Sequence, residues 1–392
     1  MKDKNIGPDM DTVWSDKSKY KLWLGIEIEY LTYLAQYVGN LELHHNVYTK
    51  LRKTKIDSKF VSGVRYKYNN SQHEMVAFLD QLGKLPYVHV GLTSSDVMDT
   101  ALFMQLRIAD KLIVHKATIF AEDIKALAVE HENTIVSGLT HGVVAEPTTV
   151  GMRMCNYYEE ISRCIKRIEG HKYYCKLRGP VGTFTGLGYV AGHTIEDHLA
   201  FSIELSQTAA TTQVIDRKII AAILFDIVLL VTALEKICTD MRLHVIADDI
   251  RLMSKSKYVG SSAMRHKTNP YLFERVCGVN RILKGMMPGI LDNCVGWMER
   301  DLTNSIFERE TIPRLYKLAF QAILTTRTAL QGVNFIEEGP LPLNAYKHYV
   351  MCREALKHGL APHRFLGEIT DHDMSMCNKL TAYATSKTVR RL

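Results

Sequence analysis

Leu102-Phe103-Met104-Gln105-Leu106-Arg107-Ile108-Ala109-Asp110-Lys111-Leu112-Ile113 opens the stretch on which the fold reading turns. From there Leu102, Leu106, Ala109, Ile113, Ala117, Phe120, Ile124 and Leu127 recur at steps of three or four residues. That spacing returns each residue to one side of a 3.6-residue helix. It writes a single apolar stripe several turns long, of the kind that packs in a helix bundle. Downstream, neither Gly nor Pro occurs between Gly192 and Gly260, which suits one or two very long helices. A second long helix is expected over Ile215 to Arg242. It contains the most apolar segment, Ile219 to Leu234, which Asp226 interrupts and which is too short for a membrane span; it reads as a buried helix. A third helix is expected from Asn269-Pro270, with Asn as N-cap and Pro at the first helical position. A fourth is expected over Ile312 to Gln331.

The chain therefore reads as all-α. A first helical domain is expected at about residues 1–98, a central long-helix bundle at about 99–335, and a small C-terminal helical domain at 336–392. Apolar stripes of this length exceed what one short bundle buries, so association is expected. The 392 residues suffice for a large core. Lys and Arg number 49 against 42 Asp and Glu, a net charge of +7. The surplus is spread along the chain, apart from a basic tip at Lys387-Thr388-Val389-Arg390-Arg391. Nucleic-acid binding would need clustering on one face; a small anionic substrate fits a dispersed surplus. Met1 to Asp11 is polar and lacks the apolar core of a signal peptide. The eight cysteines include no C-x-x-C pair. The expectation is a reduced, cytoplasmic protein without disulfides. Asp371-His372-Asp373 has no partner cluster with metal-ligand spacing and reads as a solvated loop. Gly182, Gly186, Gly188 and Gly192 lack the strand and spacing of a dinucleotide fingerprint and also read as a loop.

Three segments carry chemistry. Gly260-Ser261-Ser262-Ala263-Met264-Arg265-His266-Lys267-Thr268-Asn269-Pro270 joins a flexible loop to a helix start. Exposed helix N–H groups and Lys267 would favour an anion, or a hydroxyl losing its proton. Taken alone, the segment reads first as a capped helix with a polar loop. Gly138-Leu139-Thr140-His141-Gly142-Val143-Val144-Ala145-Glu146-Pro147-Thr148-Thr149-Val150-Gly151 sets an accessible imidazole beside a Pro-Thr-Thr turn and a helix start, though a lone histidine there is more often a surface residue. Val88-His89-Val90-Gly91-Leu92-Thr93-Ser94-Ser95-Asp96-Val97 crowds hydroxyls and a carboxylate at the start of the first long helix, an N-cap cluster in its plainest reading.

Together these segments resemble the fumarate-releasing lyases of the fumarase/aspartase superfamily, and most closely its adenylosuccinate lyase branch. The first resembles the G-S-S-x-M-P-x-K-x-N-P loop. By that resemblance Ser261 is the general base and Lys267 and Asn269 hold substrate, with Arg265 where proline is usual. The second resembles R-T-H-G-x-x-A-E-P-T-T-x-G, which makes His141 the general acid and puts Thr140 among the substrate contacts. Here Leu139 replaces an arginine and Val144 a common histidine. The third resembles V-H-x-G-L-T-S-x-D, whose Thr93-Ser94 pair binds a substrate carboxylate, with His89 in support. Gln72-His73-Glu74-Met75-Val76-Ala77-Phe78 is similar to R-H-D-V-V-A-F. His73 is kept as a substrate contact, Gln72 loses an arginine, and Glu74 is one methylene longer than the usual aspartate.

Further matches follow in the same order. Gly179-Pro180-Val181-Gly182-Thr183 resembles the G-x-V-G-T turn. Thr212-Gln213 matches a pair whose glutamine, Gln213, binds substrate, while Asp216-Arg217-Lys218 keeps part of an R-D-R pattern. Glu274 falls where a glutamate hydrogen-bonds the acid histidine. Trp297 to Ser305 with Glu308-Arg309 resembles W-x-E-R-D-x-S-x-S-x-x-E-R, which implies phosphate and nucleotide contacts for Arg300, Ser305 and Arg309. Lys4-Asn5 stands where an Arg-Tyr pair contacts phosphate.

The resemblance implies a three-part fold with a central bundle of long helices. It implies a homotetramer whose sites draw on three chains, and chemistry needing no metal or organic cofactor. The implied reaction is anti β-elimination of fumarate from adenylosuccinate, and from the related purine-pathway succinyl-carboxamide ribotide, giving AMP in the first case. Two other readings stay open at this point. One is a paralogue acting on another succinyl-type or carboxymuconate-type substrate, motivated by Gln72, Leu139, Val144 and Arg265. The other is a non-catalytic helical scaffold, which would have no use for His73, His141, Ser261, Lys267 and Glu274.

Overall fold

The computed structural model describes residues 9–39, 41–252, 264, 268–336, 341–358 and 370–392. Five helices come first: α1 (Met10–Val13), α2 (Asp16–Val38), α3 (Leu41–Lys53), α4 (Ser58–Ser71) and α5 (Glu74–Leu82). The long α6 (Ser94–Glu130) leads to a hairpin of β1 (Ile135–Thr140) and β2 (Val143–Thr149), which runs into α7 (Val150–Glu169). β3 (Tyr174–Cys175), α8 (Thr185–Ala191), α9 (Ile195–Ile203) and β4 (Ser206–Gln207) precede α10 (Arg217–Ile246). β5 (Ile250–Leu252), α11 (Tyr271–Asp292), α12 (Thr303–Leu330), β6 (Val333–Phe335), α13 (Asn344–His358) and α14 (Asp371–Val389) follow. Among the described residues six strands form three two-stranded sheets, so helices carry the architecture.

The stripe that opened the sequence reading lies on α6, where Leu106, Ala109, Ile113, Ala117, Phe120 and Ile124 are buried. Leu127 is half-buried and the neighbouring Ala128 is buried in its stead. The second helix is α10. Among the described residues of the Gly- and Pro-free stretch α10 is the one long helix, because helical structure is interrupted between Ile203 and Arg217. α11 begins directly after Pro270. α12 begins at Thr303 and carries Pro313 inside it, nine residues ahead of the expected start at Ile312. The proline is the eleventh residue of that helix, past its first turns, so it removes one i→i−4 hydrogen bond from the helix interior. Two other expectations are corrected. Gly186 and Gly188 lie in α8, not in a loop. Asp371-His372-Asp373 is the first turn of α14, and Asp373 closes a capping box with Thr370. No helix among the described residues is long and apolar enough to cross a membrane. The eight cysteines are free thiols.

The chain divides into two compact units. The first comprises Met1–Val114, Arg167–Ile227 and Leu283–Phe320; the second comprises His115–Lys166, Val228–Ile282 and Gln321–Leu392. In the first, Tyr20, Trp23, Phe60 and Phe78 form an aromatic cluster, with centroid separations of 5.3 to 5.9 Å. In the second, a satellite cluster of Leu341, Ala345, Tyr346 and Cys377 packs against Ile135 and Val144 of the hairpin.

A polar node fastens the helices of the first unit. His171, only 7% exposed in its side chain, places Nδ1 2.8 Å from Asp110 and Nε2 3.1 Å from Asp226. Both ring nitrogens donate only in the imidazolium form. The tyrosines 173 and 316 also donate to Asp110, and Arg167 donates to Asp226. Asp226, the residue that interrupts the apolar run, thus has buried work to do. Burial disfavours the imidazolium, but the hydrogen bonds and charges of Asp110 and Asp226 outweigh it and raise the pKa of His171. A raised folded value makes this stabilisation complete below the unfolded imidazole pKa of about 6.5 and removes it as pH rises through the folded value. The urea-unfolding free energy of His171→Gln is therefore expected to trail wild type by about 2 kcal/mol at mildly acid pH. The gap should shrink as pH rises. A gap unchanged across the series would mean that His171 is not held as a cation.

Candidate active site

The site is assembled around the first turns of α6. Thr93 donates its N–H to Asp96 Oδ2 at 2.8 Å, an N-terminal cap made by a side chain just inside the helix. The other oxygen of Asp96 accepts from Lys176 Nζ at 2.6 Å and from the N–H groups of Arg178 and Gly179 at 3.0 and 3.2 Å. Both Asp96 and Lys176 have fully buried side chains. One turn on, Asp99 receives both terminal nitrogens of Arg217, at 2.6 and 2.9 Å. The same guanidinium donates to both oxygens of Glu308 on α12, at 2.8 and 3.1 Å. Burial would raise Asp99, but the charge and hydrogen bonds of Arg217 hold it below the ordinary carboxylate value. The G-x-V-G-T turn closes the circuit. Gly182 has φ +78°, and a Cβ there would lie 2.0 Å from the Thr211 carbonyl oxygen. Only glycine lets that turn rest on the strand of chain leading to Gln213.

A cavity of ≈ 360 Å³ lies within the first unit. Arg300, Ser305 and Arg309 all line it. Arg300 donates to Asn304 Oδ1 at 3.0 Å and to Ser305 Oγ at 2.8 Å. Among the described residues, no carboxylate lies within ion-pair distance of Arg300. Burial pushes its pKa below the ordinary value, with Asp99 opposing from further off. The other cations of the wall are already matched. Arg65 pairs with Asp16, Lys19 with Asp16 and Glu74, and Arg217 with Asp99 and Glu308; Arg309 Nε stands 3.9 Å from Glu74.

The remaining candidates of this unit lie outside that cavity lining. His73 is the N-cap of α5, its Nδ1 accepting from the Val76 N–H at 3.3 Å. His89 Nδ1 lies 2.6 Å from Glu27, a fully buried carboxylate on α2 that also accepts the His89 N–H. Gln213 is half-buried and donates its N–H to the Glu299 carbonyl at 3.2 Å. Gln72, where an arginine is usual, is an exposed left-handed C-cap of α4.

In the second unit, His141 is not beside a helix start, as expected, but at the tip of the β1–β2 hairpin. Thr140 pairs with Val143, leaving His141 and Gly142 as a two-residue turn with φ +54° and +78°. Two positive φ values are the mark of a type I′ turn. A histidine there holds a conformation that costs a residue with a Cβ about 1 kcal/mol or more. Both Thr140 and His141 are exposed. Val144, in place of a common histidine, turns the hairpin's flank into part of the apolar cluster with α13 and α14; Leu139, in place of arginine, is 45% exposed. Glu274 is exposed on the first turn of α11 and Asn269 is half-buried just before it. Ser261, Lys267, Arg265, Lys4 and Asn5 lie outside the described residues.

Sequence reasoning did not single out Lys19, Tyr20, Asp99 or Lys176, and it noted Glu308, Arg217 and Asp96 only as letters of motifs. Asp99 and Arg217 are 118 positions apart, so no local pattern couples them; the one available signal was an arginine and an acid amid apolar helical sequence.

Residues 43–283 match the family described as Lyase. The chain is 35% identical over 318 residues to the adenylosuccinate lyase of Aquifex aeolicus, covering 78% of this chain and 71% of that one. It is 31% identical over 344 residues to the adenylosuccinate lyase of Pyrococcus horikoshii, covering 84% and 75%. Among solved structures, a fumarate lyase from Mesorhizobium superposes with a TM-score of 0.79 at 18% identity, over 97% of this chain and 96% of that one. A 3-carboxy-cis,cis-muconate lactonizing enzyme from Pseudomonas putida gives 0.77 at 19%, over 98% and 97%. At such identities the structural likeness speaks for the fold alone.

Proposed function

We infer the reaction from the family to which the chain belongs: it is a lyase of the fumarase/aspartase superfamily, on the adenylosuccinate lyase branch, and an enzyme that breaks a carbon–nitrogen bond. Its substrate is adenylosuccinate, cleaved by anti β-elimination to AMP and fumarate in purine biosynthesis. Ser261 takes the proton from the carbon next to a carboxylate, and the electron pair spreads onto that carboxylate. Lys267, Asn269, Thr93 and Ser94 hold the charge. One well-placed donor of this kind is worth about 3–4 kcal/mol of barrier. The carbon–nitrogen bond then breaks, and His141 gives its proton to the departing nitrogen, with Glu274 orienting the imidazole. His73, Thr140 and Gln213 contact substrate, and His89 supports them. The working form is a cytoplasmic homotetramer with shared sites. The 70% exposure of Leu302, just before the helix that carries Ser305 and Arg309, and of Ile306 on it, supports association.

The observation that carries the nucleotide reading is Arg300. A guanidinium in a cavity wall, held by a serine and an asparagine and lacking a carboxylate among the described residues, is suited to an incoming phosphate. Steady-state kinetics on adenylosuccinate and argininosuccinate test it. Wild type is expected to turn over adenylosuccinate with a KM raised by the loss of the Arg-Tyr pair at Lys4-Asn5. Arg309→Ala should raise that KM about tenfold more and leave turnover of any phosphate-free succinyl substrate unchanged. If wild type ignores adenylosuccinate but cleaves another succinyl compound, the substrate assignment is wrong.

A further inference from the structure

We propose that Glu74 is an internal competitor for the phosphate, its carboxylate occupying the cavity cations that a phosphate needs. The idea rests on the phosphate reading above and adds the residue that limits affinity. Glu74 is the first residue of α5, and its side chain is only 11% exposed. It turns into the cavity instead of toward water. Its Oε1 accepts from the Lys19 ammonium and, at 2.8 Å, from the Tyr20 hydroxyl; its Oε2 lies 3.9 Å from Arg309 Nε. Lys19 is held at the wall by Asp16 at 3.1 Å and by the rings of Tyr20 and Trp23, 5.0 and 5.7 Å away.

A phosphate monoester carries nearly two charges at neutral pH. Arg300 supplies one unmatched cation. Of the other cavity cations, Lys19 and Arg309 both face Glu74, so recruiting either means displacing that carboxylate. Binding is weakened by whatever that internal pair is worth, since a ligand gains only the difference between the two partners. Reach makes this possible. The two oxygens of the Glu74 side chain face different cations, one toward Lys19 and one toward Arg309, so a single carboxylate spans both. A purely positioning role for Glu74 predicts the opposite sign: without it Arg309 would wander and phosphate binding would weaken.

Calorimetric titration of AMP and of adenosine into wild type, Glu74→Gln and Glu74→Asp, at one pH and ionic strength, decides the matter. Wild type should prefer AMP. Glu74→Gln should bind AMP about three- to tenfold more tightly while adenosine affinity stays put. AMP and adenosine binding alike to wild type would sink the phosphate reading and this proposal with it. A clear preference for AMP in wild type, with no gain or a loss in Glu74→Gln, would overturn the proposal alone. Should thermal melting show Glu74→Gln to be unfolded, Glu74→Asp, which keeps the charge but shortens the reach, must show the same gain for the proposal to stand.

Discussion

Turnover of His141→Gln is expected to fall by about 10²–10⁴, the usual worth of a positioned general acid, with the KM for adenylosuccinate little changed. The geometry motivates a pure loss of chemistry. His141 sits at the exposed tip of a two-residue turn whose second residue is Gly142 at φ +78°, so the backbone that aims the imidazole owes nothing to the side chain itself. Glutamine adds a small turn cost at φ +54°, while Ile135 and Val144 stay packed on their cluster. Fumarate release followed by ultraviolet absorbance measures the loss. Near-normal turnover would remove His141 from the mechanism. The same variant, refolded together with Ser261→Ala, should regain activity if sites are shared between subunits; no recovery at any ratio would refute sharing.

Arg217→Met is expected to destabilise the protein by about 3–5 kcal/mol, the usual loss when one partner of a buried charge network is removed. The fork of Arg217 uses every face: two bonds to Asp99, two to Glu308 and one to the Ile215 carbonyl at 2.9 Å. Methionine fills the volume but leaves two carboxylates facing each other in a space where the guanidinium was 7% exposed. Arg217→Lys should recover only part of the loss, because an ammonium cannot serve both carboxylates in bidentate fashion. Because Asp99 is held below its ordinary value, its share of the stability is present at neutral pH and lost as pH falls through the depressed value. Urea unfolding of the two variants checks the ranking. A deficit under about 1 kcal/mol for Arg217→Met would show the network to be solvated.

Helices were legible in the sequence where apolar spacing was long and uninterrupted, as along α6 and α10. They were misjudged where one residue carried two meanings. The fourth helix was expected from Ile312, next to Pro313, yet α12 begins nine residues ahead of that start. The hairpin was invisible for related reasons. Its turn is His-Gly rather than Asn-Gly, and Pro147 inside β2 argues against a strand. In a two-stranded sheet both strands are edges, so Pro147 opposite Ser137 costs little. The candidate site residues were named from motifs, in chain order. What could not be read was the set of charges behind them, because Asp96 to Lys176 and Asp99 to Arg217 are joined only by folding.

The two buried carboxylates of α6 have a mechanical meaning. Asp96 and Asp99 lie three residues apart, and each is locked to a cation from a different segment. A slip of α6 by one residue would swing both through about 100° and carry them about 1.5 Å along the axis, breaking both locks at once. The helix start that presents Thr93 and Ser94 is thus indexed in rotation and in translation, like a key cut with two teeth. If Thr93 and Ser94 bind a substrate carboxylate as proposed, that end of the site is rigid toward it. On the proposed reading, any accommodation falls to less enclosed side chains, such as Arg309 with 40% of its side chain exposed.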